Sequence, residues 1–280
     1  MYEAHPESPR LNLVFANVYA SSGDFQSARR ALVLVGEKLG TKLHSLFFAC
    51  LEHRRIDDEA ISSIGQIRNG VIDGHVTSSV QGVVRQVISG QCDASKQSLV
   101  EMLNQVLTSR ARTATDRVAV LYSKATLLES MNDIDAAVEQ YLEAQQLSSV
   151  DAKALYLAAA LLIRSGRPDA AREIANSAYE LEKTTRIQRK DDAQQVYLSL
   201  AQAYEERQQY DDALAVYAEA ASSIPGRSLF DLKTAELLLR LRRHDEVKQV
   251  LADIRARNLD DLDQHEYSLQ QIATSLKRRN

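Results

Sequence analysis

The clearest pattern of apolar and polar positions lies in residues 192–225. Two runs of apolar side chains recur there at helical spacing, with polar residues between them. The first run is Tyr197, Leu200, Ala201 and Tyr204, and the second is Tyr210, Ala213, Tyr217 and Ala220. Pro225 follows the second run, where a helix would end. The pattern predicts two short amphipathic helices joined by a tight turn.

The same hairpin pattern recurs along the chain. The predicted second helices start at Ile134, Pro168, Tyr210 and His244, and the successive spacings are 34, 42 and 34 residues. Phe25 holds the equivalent place 109 residues before Ile134. We call these five the helix-start residues. A single hairpin cannot bury both of its apolar faces, so a repeating series predicts a stack in which neighbouring hairpins cover one another.

Small side chains keep a fixed distance from the helix-start residues of 117–254. Alanine lies nine residues before all four, and three residues after the first three, where Val247 takes the fourth place. These alanines are Ala125, Ala159, Ala201, Ala235, Ala137, Ala171 and Ala213. Two packed helices lie about 8–10 Å apart, and a larger side chain at their crossing would overpack it. We therefore predict that these positions are buried where the helices meet.

Residues 1–280 are predicted to form one all-α solenoid of stacked hairpins. The first repeat covers 1–40 and follows a remnant of an earlier one, because Tyr2, Glu3 and Ala4 read as a last helical turn. Pro6 stands before this repeat as Pro225 stands after the helix of Tyr217. This favours a chain cut from a longer protein, and the alternative is an ordinary disordered start.

The remaining segments differ in regularity. Residues 41–116 carry four short apolar stripes and are predicted to form two degenerate hairpins. Residues 117–254 hold the regular repeats, with an insertion at 181–192 that we expect to lengthen the flanking helices until they protrude. Residues 255–280 predict a capping helix with one polar side.

Composition narrows the possible partners and compartments. The net charge of −4 and the pI near 5.9 give no reason to expect nucleic acid. The sequence has no apolar run long enough to span a membrane and no signal-peptide pattern at its start. Cys50 and Cys92 form either a disulfide, in an oxidising compartment, or two buried small apolar residues.

Catalytic and metal-binding motifs are missing from the sequence. The six histidines form no pair with another histidine or cysteine on one helix face, so we expect no metal site. Neither a nucleophile elbow nor a phosphate-binding glycine loop is present, so we expect no cofactor and no enzymatic activity. Paired aspartates such as Asp211 and Asp212 fit the starts of helices, where negative charge is stabilised.

The residues of 192–225 resemble the tetratricopeptide repeat. Along the chain this resemblance is strong over 117–254, good over 9–39 and weak over 40–116. The resemblance implies a right-handed superhelix whose concave groove is lined by the first helix of each hairpin. It also implies binding of a peptide or protein partner without chemistry of its own. Tyr122, Tyr156, Leu198 and Leu232 stand where chaperone-binding members carry Lys and Asn, which argues against a carboxylate clamp.

The resemblance also implies which side chains line the groove. They are Tyr122, Thr126, Glu129, Lys153, Tyr156, Arg164, Gln195, Gln202, Glu205, Glu236 and Arg240. Tyr122 and Tyr156 lie 34 residues apart in matching places. Tyrosine combines a large apolar face with a polar tip, which suits a binding surface. The alternative is that both tyrosines only complete the packing between repeats.

A narrower resemblance comes from residues 5–32 and from the SGQC sequence ending at Cys92. Both are similar to C-terminal soluble regions of bacterial inner-membrane glycan enzymes, the sugar transferases and O-antigen ligase or polymerase relatives. Gln86 departs from that pattern, because a cysteine is expected there. The resemblance implies a scaffold in cell-envelope glycan assembly on the periplasmic side of the inner membrane. The alternatives are a polysaccharide-binding module of an export system and a cytoplasmic peptide-binding regulator.

Overall fold

A computed structural model of the chain describes residues 8–35, 39–52, 55–67, 70–185, 187–257 and 262–278. The chain divides into two compact units, unit 1 (Met1–Ser149) and unit 2 (Val150–Asn280). Unit 1 contains α1 (Pro9–Ser21), α2 (Phe25–Val33), α3 (Leu39–Leu51), α4 (Asp58–Gly65), β1 (Val71–Ile72), α5 (Gly74–Ile88), α6 (Lys96–Leu107), β2 (Arg110–Ala111), α7 (Ala114–Ser130) and α8 (Ile134–Leu147). Unit 2 contains α9 (Lys153–Arg164), α10 (Pro168–Thr185), α11 (Lys190–Glu206), α12 (Tyr210–Ser223), α13 (Leu229–Arg240), α14 (His244–Ala256) and α15 (Leu262–Arg278).

The prediction of an all-α solenoid of helical hairpins is confirmed. In unit 1, α1 packs against α2 and α7 packs against α8 as antiparallel hairpins. In unit 2 the same pairing joins α9 with α10, α11 with α12, and α13 with α14. Successive hairpins also pack on one another, as α11 does on α9 and α13 on α12.

Unit 1 is irregular between α3 and α6. There α3 packs mainly against α5 and α4 against α6, while α3 and α4 contact each other less than the partners of a regular hairpin do. The segments that follow α4 and α6 lie side by side and pair as parallel strands. Val71 pairs with Arg110, and Ile72 pairs with Ala111. This short strand pair is a feature that the sequence did not predict, because it follows from the side-by-side stacking of distant helices.

A disulfide joins Cys50, in α3, to Cys92, in the connection between α5 and α6. Both cysteines are buried. The same connection also contacts the segment before α4, because the Ile56 amide donates to the Asp93 carbonyl at 2.9 Å. Two separate links therefore hold this connection against α3 and α4.

The phased small residues occupy the hairpin crossings as predicted. Every one of the seven alanines is fully buried, and so is Val247. Ala16 and Ala28 stand at the matching distances from Phe25 and are also fully buried. The short side chains let the two helices of each hairpin approach closely, so the 34-residue period reflects a steric requirement.

The turn inside each hairpin uses a left-handed residue two positions before the second helix. These residues are Gly23, Asn132, Gly166, Gln208 and Arg242, with φ between 60° and 81°. Each turn also has a bond from the next amide to a carbonyl five residues earlier. Gln209 donates in this way to Tyr204 at 2.9 Å, and Arg243 to Leu238 at 2.9 Å. Glycine adopts this conformation without the clash that a Cβ introduces.

Replacing Gln208 by glycine is expected to stabilise unit 2. A residue with a Cβ in the left-handed conformation is strained by about 1–2 kcal/mol, and glycine removes this strain. Glycine also raises the conformational entropy of the unfolded chain, which offsets part of the gain. The net increase in the free energy of unfolding is therefore a few tenths to about 1 kcal/mol. Gly166→Ala is the matched reversal and should destabilise by about 1 kcal/mol. A Cβ at Gly166 meets nothing within 4 Å, so only backbone strain is changed. Urea unfolding followed by circular dichroism measures both effects, and equal stabilities would contradict them.

The 181–192 insertion is taken up mostly as helix. α10 has 18 residues, whereas α8 and α12 have 14 each. α11 has 17 residues, whereas α9 and α13 have 12 each. The non-helical residues 187–189 do not extend freely, because Arg189 turns back to form an ion pair with Asp151 ahead of α9. The connection between the lengthened helices α10 and α11 is thereby tied to the start of α9.

The last helix covers one side of α13. Leu269, Ile272 and Leu276 of α15 join a buried cluster with Leu238 and Leu251. Its outward side carries the exposed polar residues Glu266, Gln270, Gln271 and Thr274, together with Tyr267, which is 72% exposed. Among the described residues, no helix combines the length and the apolar character needed to cross a membrane.

Candidate functional site

A groove in unit 2 lies between the first helices α9 and α11. Its volume is about 270 Å³. Four of the predicted groove residues line it together: Lys153, Tyr156, Arg164 and Gln195. The remaining lining residues are Leu157, Ala160, Ile163, Asp192, Val196 and Ser199, which sequence reasoning missed. On α9 the missed apolar residues lie off the packed stripe of Ala154, Ala158 and Leu161, which are buried.

The groove has an apolar floor and polar ends. Leu157, Ala160 and Ile163 are half-buried on α9, and Val196 is buried on α11. Lys153 and Arg164 stand eleven residues apart on α9, which corresponds to about 16 Å along the helix. The surface offers an apolar strip with a cationic side chain at either end, which suits an extended or helical segment of a partner.

Tyr156 belongs to the wall of the groove and keeps its hydroxyl inside the protein. The side chain is buried, and no hydrogen bond of ordinary geometry reaches the hydroxyl oxygen. Burial raises the pKa of the Tyr156 phenol, and the nearby Glu182 carboxylate raises it further. The hydroxyl therefore remains neutral and protonated, and Tyr156 does not offer a partner its polar tip.

An ion-pair network fixes the end of the groove near Lys153. Arg189 donates from Nη2 to Asp151 Oδ2 at 2.5 Å and from Nη1 to Asp192 Oδ2 at 3.2 Å. Its backbone amide donates to Glu182 Oε1 at 2.8 Å. The hydrogen bond from Arg189 lowers the pKa of Asp151, whereas burial raises the pKa of Glu182. The network holds Asp192 in place on the rim of the groove.

Glu205 and Arg240 meet each other on neighbouring first helices. Glu205 accepts a hydrogen bond from the Tyr217 hydroxyl at 2.8 Å and also pairs with Arg240. Gln202 donates to Glu206 at 2.9 Å, and Glu236 pairs with Lys233 at 2.8 Å. These predicted groove residues therefore have partners within unit 2 and lie outside the α9–α11 groove.

Tyr122, Thr126 and Glu129 lie on α7, in unit 1. Tyr122 is half-buried, and its ring centroid stands 5.8 Å from that of Tyr141 on α8. Thr126 is exposed and its hydroxyl donates to the Tyr122 carbonyl at 2.5 Å. Glu129 is half-buried. Tyr122 therefore divides its surface between hairpin packing and solvent.

One pair of catalytic residue types is present but enclosed. His44 Nδ1 and Ser79 Oγ lie 2.5 Å apart between α3 and α5, and both side chains are buried. Burial lowers the pKa of His44, and the Ser79 hydroxyl also contacts the His75 carbonyl at 2.8 Å. A substrate could not reach this pair without separating the helices. Among the described residues, no group of three or more His, Cys, Asp or Glu side chains could hold a metal ion.

Comparison with known families assigns the regular part of the chain. The family described as tetratricopeptide repeat matches residues 122–185, 181–228 and 198–246. Residues 122–246 therefore match the tetratricopeptide-repeat family. The matched region includes α9 and α11, so the groove lies wholly inside it. No curated protein matches the chain.

Solved structures with similar chains include further tetratricopeptide repeats. One holds nearly identical TPR-like repeats from Podosopora anserina. Its sequence is 16% identical to this chain, the match covers 78% of this chain and 96% of that chain, and the TM-score is 0.42. Another is a tetratricopeptide repeat protein from Parabacteroides merdae, with 12% identity, coverages of 96% and 91%, and a TM-score of 0.42.

Proposed function

We propose that this chain is a non-catalytic scaffold and that its α9–α11 groove binds a segment of a protein partner. Tetratricopeptide repeats are in general protein–protein interaction scaffolds without catalytic activity. The observation that carries the proposal is the open groove with an apolar floor inside residues 122–246. A groove of this kind gains affinity by burying apolar side chains of the partner, while charged residues at its rim set the orientation of the partner.

The charges around the groove suggest the chemistry of the segment. One or two aliphatic side chains would cover Leu157, Ala160 and Ile163. A carboxylate would face the exposed Arg164, and the opposite end, where Lys153 and Asp192 stand together, would favour a polar uncharged residue. The partner segment would therefore be apolar at its centre and acidic towards the C-terminal end of α9.

Ala160→Arg is expected to block the groove. The long side chain would occupy the floor and weaken peptide binding by about tenfold or more. Ala252→Arg makes the same exchange at an exposed position of α14 and should leave binding unchanged. Peptides selected from a display library against the native chain, then titrated by fluorescence anisotropy, provide the measurement. Equal binding by the native chain and the Ala160→Arg variant would place the interaction elsewhere and contradict the proposal.

We further propose that the scaffold works in an oxidising compartment, as part of cell-envelope glycan assembly. The Cys50–Cys92 disulfide supports the compartment, because stable disulfides are rare in reducing cytosol. The resemblance of residues 5–32 to regions of glycan enzymes supports a role in cell-envelope glycan assembly. Titration of a bacterial polysaccharide against the native chain and the Ala160→Arg variant separates a glycan ligand from a peptide ligand. Two free thiols in the natively expressed protein would instead favour the cytoplasmic peptide-binding regulator.

A further inference from the structure

A cleft lies between α3 and α4 in unit 1. Its volume of 380 Å³ falls within the range of about 300–1,000 Å³ that is usual for small-molecule sites. The lining residues of α3 recur at spacings of three and four, and so do those of α4, so one face of each helix forms a wall. Residues 55–57, in the connection between the two helices, close one end of the cleft.

The cleft stays open because each of its two helices is held by a different neighbour. α3 packs mainly against α5, and α4 packs mainly against α6. The Cys50–Cys92 disulfide fixes the end of α3. At the start of α4, the Asp58 carboxylate accepts a hydrogen bond from the Ser98 hydroxyl at 2.6 Å. The two walls therefore keep their separation without a ligand, and the cleft is part of the folded structure.

The middle of the cleft is apolar. Leu46 on α3 and Ile64 on α4 form opposite walls, and Ile56 stands at the closed end; all three are buried. Ala49 is half-buried and Ala60 is exposed, and both line the same space. These two short side chains leave room between the walls. An aliphatic chain placed there would remove apolar surface from water on both sides.

The two ends of the cleft differ in charge. At the open end, Lys42 and Ser45 lie one turn apart near the start of α3 and offer an ammonium and a hydroxyl as donors. At the closed end, Arg55 and Asp57 have opposite signs. Arg55 also lies 3.8 Å from Asp93. A negative group is therefore favoured at the open end and meets a carboxylate at the closed end.

We propose that this cleft binds a small amphiphilic carboxylic acid. The aliphatic chain of the ligand lies between Leu46 and Ile64, and its carboxylate meets Lys42 and Ser45. Hydrogen bonds from an ammonium to a carboxylate are stronger than those between neutral groups, so the charged end fixes the orientation of the ligand. The site belongs to unit 1 and is independent of the peptide groove proposed between α9 and α11.

Octanoate is the probe that tests the proposal, and octylammonium, with the same chain and the opposite charge, is the control ligand. NMR of isoleucine methyl groups should show shifts of Ile56 and Ile64 on addition of octanoate. Octylammonium should bind about tenfold more weakly, because it has no carboxylate for Lys42. Lys42→Met should weaken octanoate binding by about the same factor. Lys190→Met, at the exposed start of α11, should leave it unchanged.

Ala60→Phe supplies a second variant, because its ring would occupy the cleft from an exposed position and should abolish the octanoate-induced shift of Ile64. An unchanged methyl signal of the buried Ile72 would show that unit 1 keeps its fold. Equal affinities for octanoate and octylammonium, or full octanoate affinity in Lys42→Met, would overturn the proposal. An acidic peptide that shifts both cleft isoleucines where octanoate does not would assign the cleft to a protein partner and would also overturn it.

Discussion

Reduction of the Cys50–Cys92 disulfide should lower the free energy of unfolding of unit 1 by about 4 kcal/mol. The bond closes a loop of 42 residues that includes α4 and α5. Opening the loop restores conformational freedom to the unfolded chain, and this entropy is the main source of the loss. Unit 1 depends on the bond because α3 and α4 pack weakly as a hairpin. Hydrogen exchange read by mass spectrometry, with and without dithiothreitol, would follow α3 and α6 separately from unit 2.

The double variant Cys50→Ala with Cys92→Ala provides the control. Both side chains are buried, so alanine removes the bond without leaving a buried polar group. The variant should be as unstable as the reduced native chain and should not respond to dithiothreitol. Two titratable thiols in the unreduced native protein would contradict the disulfide, and the proposed oxidising compartment would lose its structural support.

The regular hairpins could be predicted because their signal is local. The spacing of Ala159 and Pro168, or of Ala201 and Tyr210, reflects a crossing that forms within one hairpin. Such a crossing depends on residues close in sequence, so periodicity alone locates it. The left-handed turn was harder to find from composition, because Gln208 and Arg242 occupy two of its positions where glycine would be expected.

The middle of unit 1 could not be predicted in the same detail. Its four apolar stripes indicated helices, but the pairing of α3 with α5 and of α4 with α6 joins segments separated by other elements. The strand pair of Ile72 with Ala111 follows from that stacking. No short-range pattern encodes such contacts, because each helix could present the same apolar face to more than one neighbour.

The candidate groove was predicted in part. Helical phase was enough to bring Lys153, Tyr156, Arg164 and Gln195 to one surface. Phase did not reveal that the Tyr156 hydroxyl is buried beside Glu182, since that depends on a helix 26 residues away. The pairing of Arg240 with Glu205 was missed for the same reason, because it joins side chains on two successive hairpins.

Tyr197→Ala should destabilise unit 2 by about 3–5 kcal/mol. Tyr197 is among the largest fully buried side chains, and alanine would leave a cavity in α11 that the surrounding backbone could close only in part. Most of the loss should come from ring packing, because the hydroxyl has only a 3.4 Å contact with the Ser223 hydroxyl. Tyr197→Phe should therefore cost less than about 1 kcal/mol. Urea unfolding at pH 7, followed by circular dichroism, measures both variants.

Tyr267→Ala is the matched control, because this tyrosine is 72% exposed and its loss should be nearly neutral. A pH series adds an independent check. Burial raises the pKa of Tyr197 from 10.0 to about 12, so the folded state holds the phenolic proton more tightly than the unfolded chain does. This contribution to stability is complete below pH 10 and is lost as the pH rises from 10 to 12. A Tyr197→Ala variant as stable as Tyr267→Ala would contradict a solenoid whose hairpins bury their aromatic residues against one another.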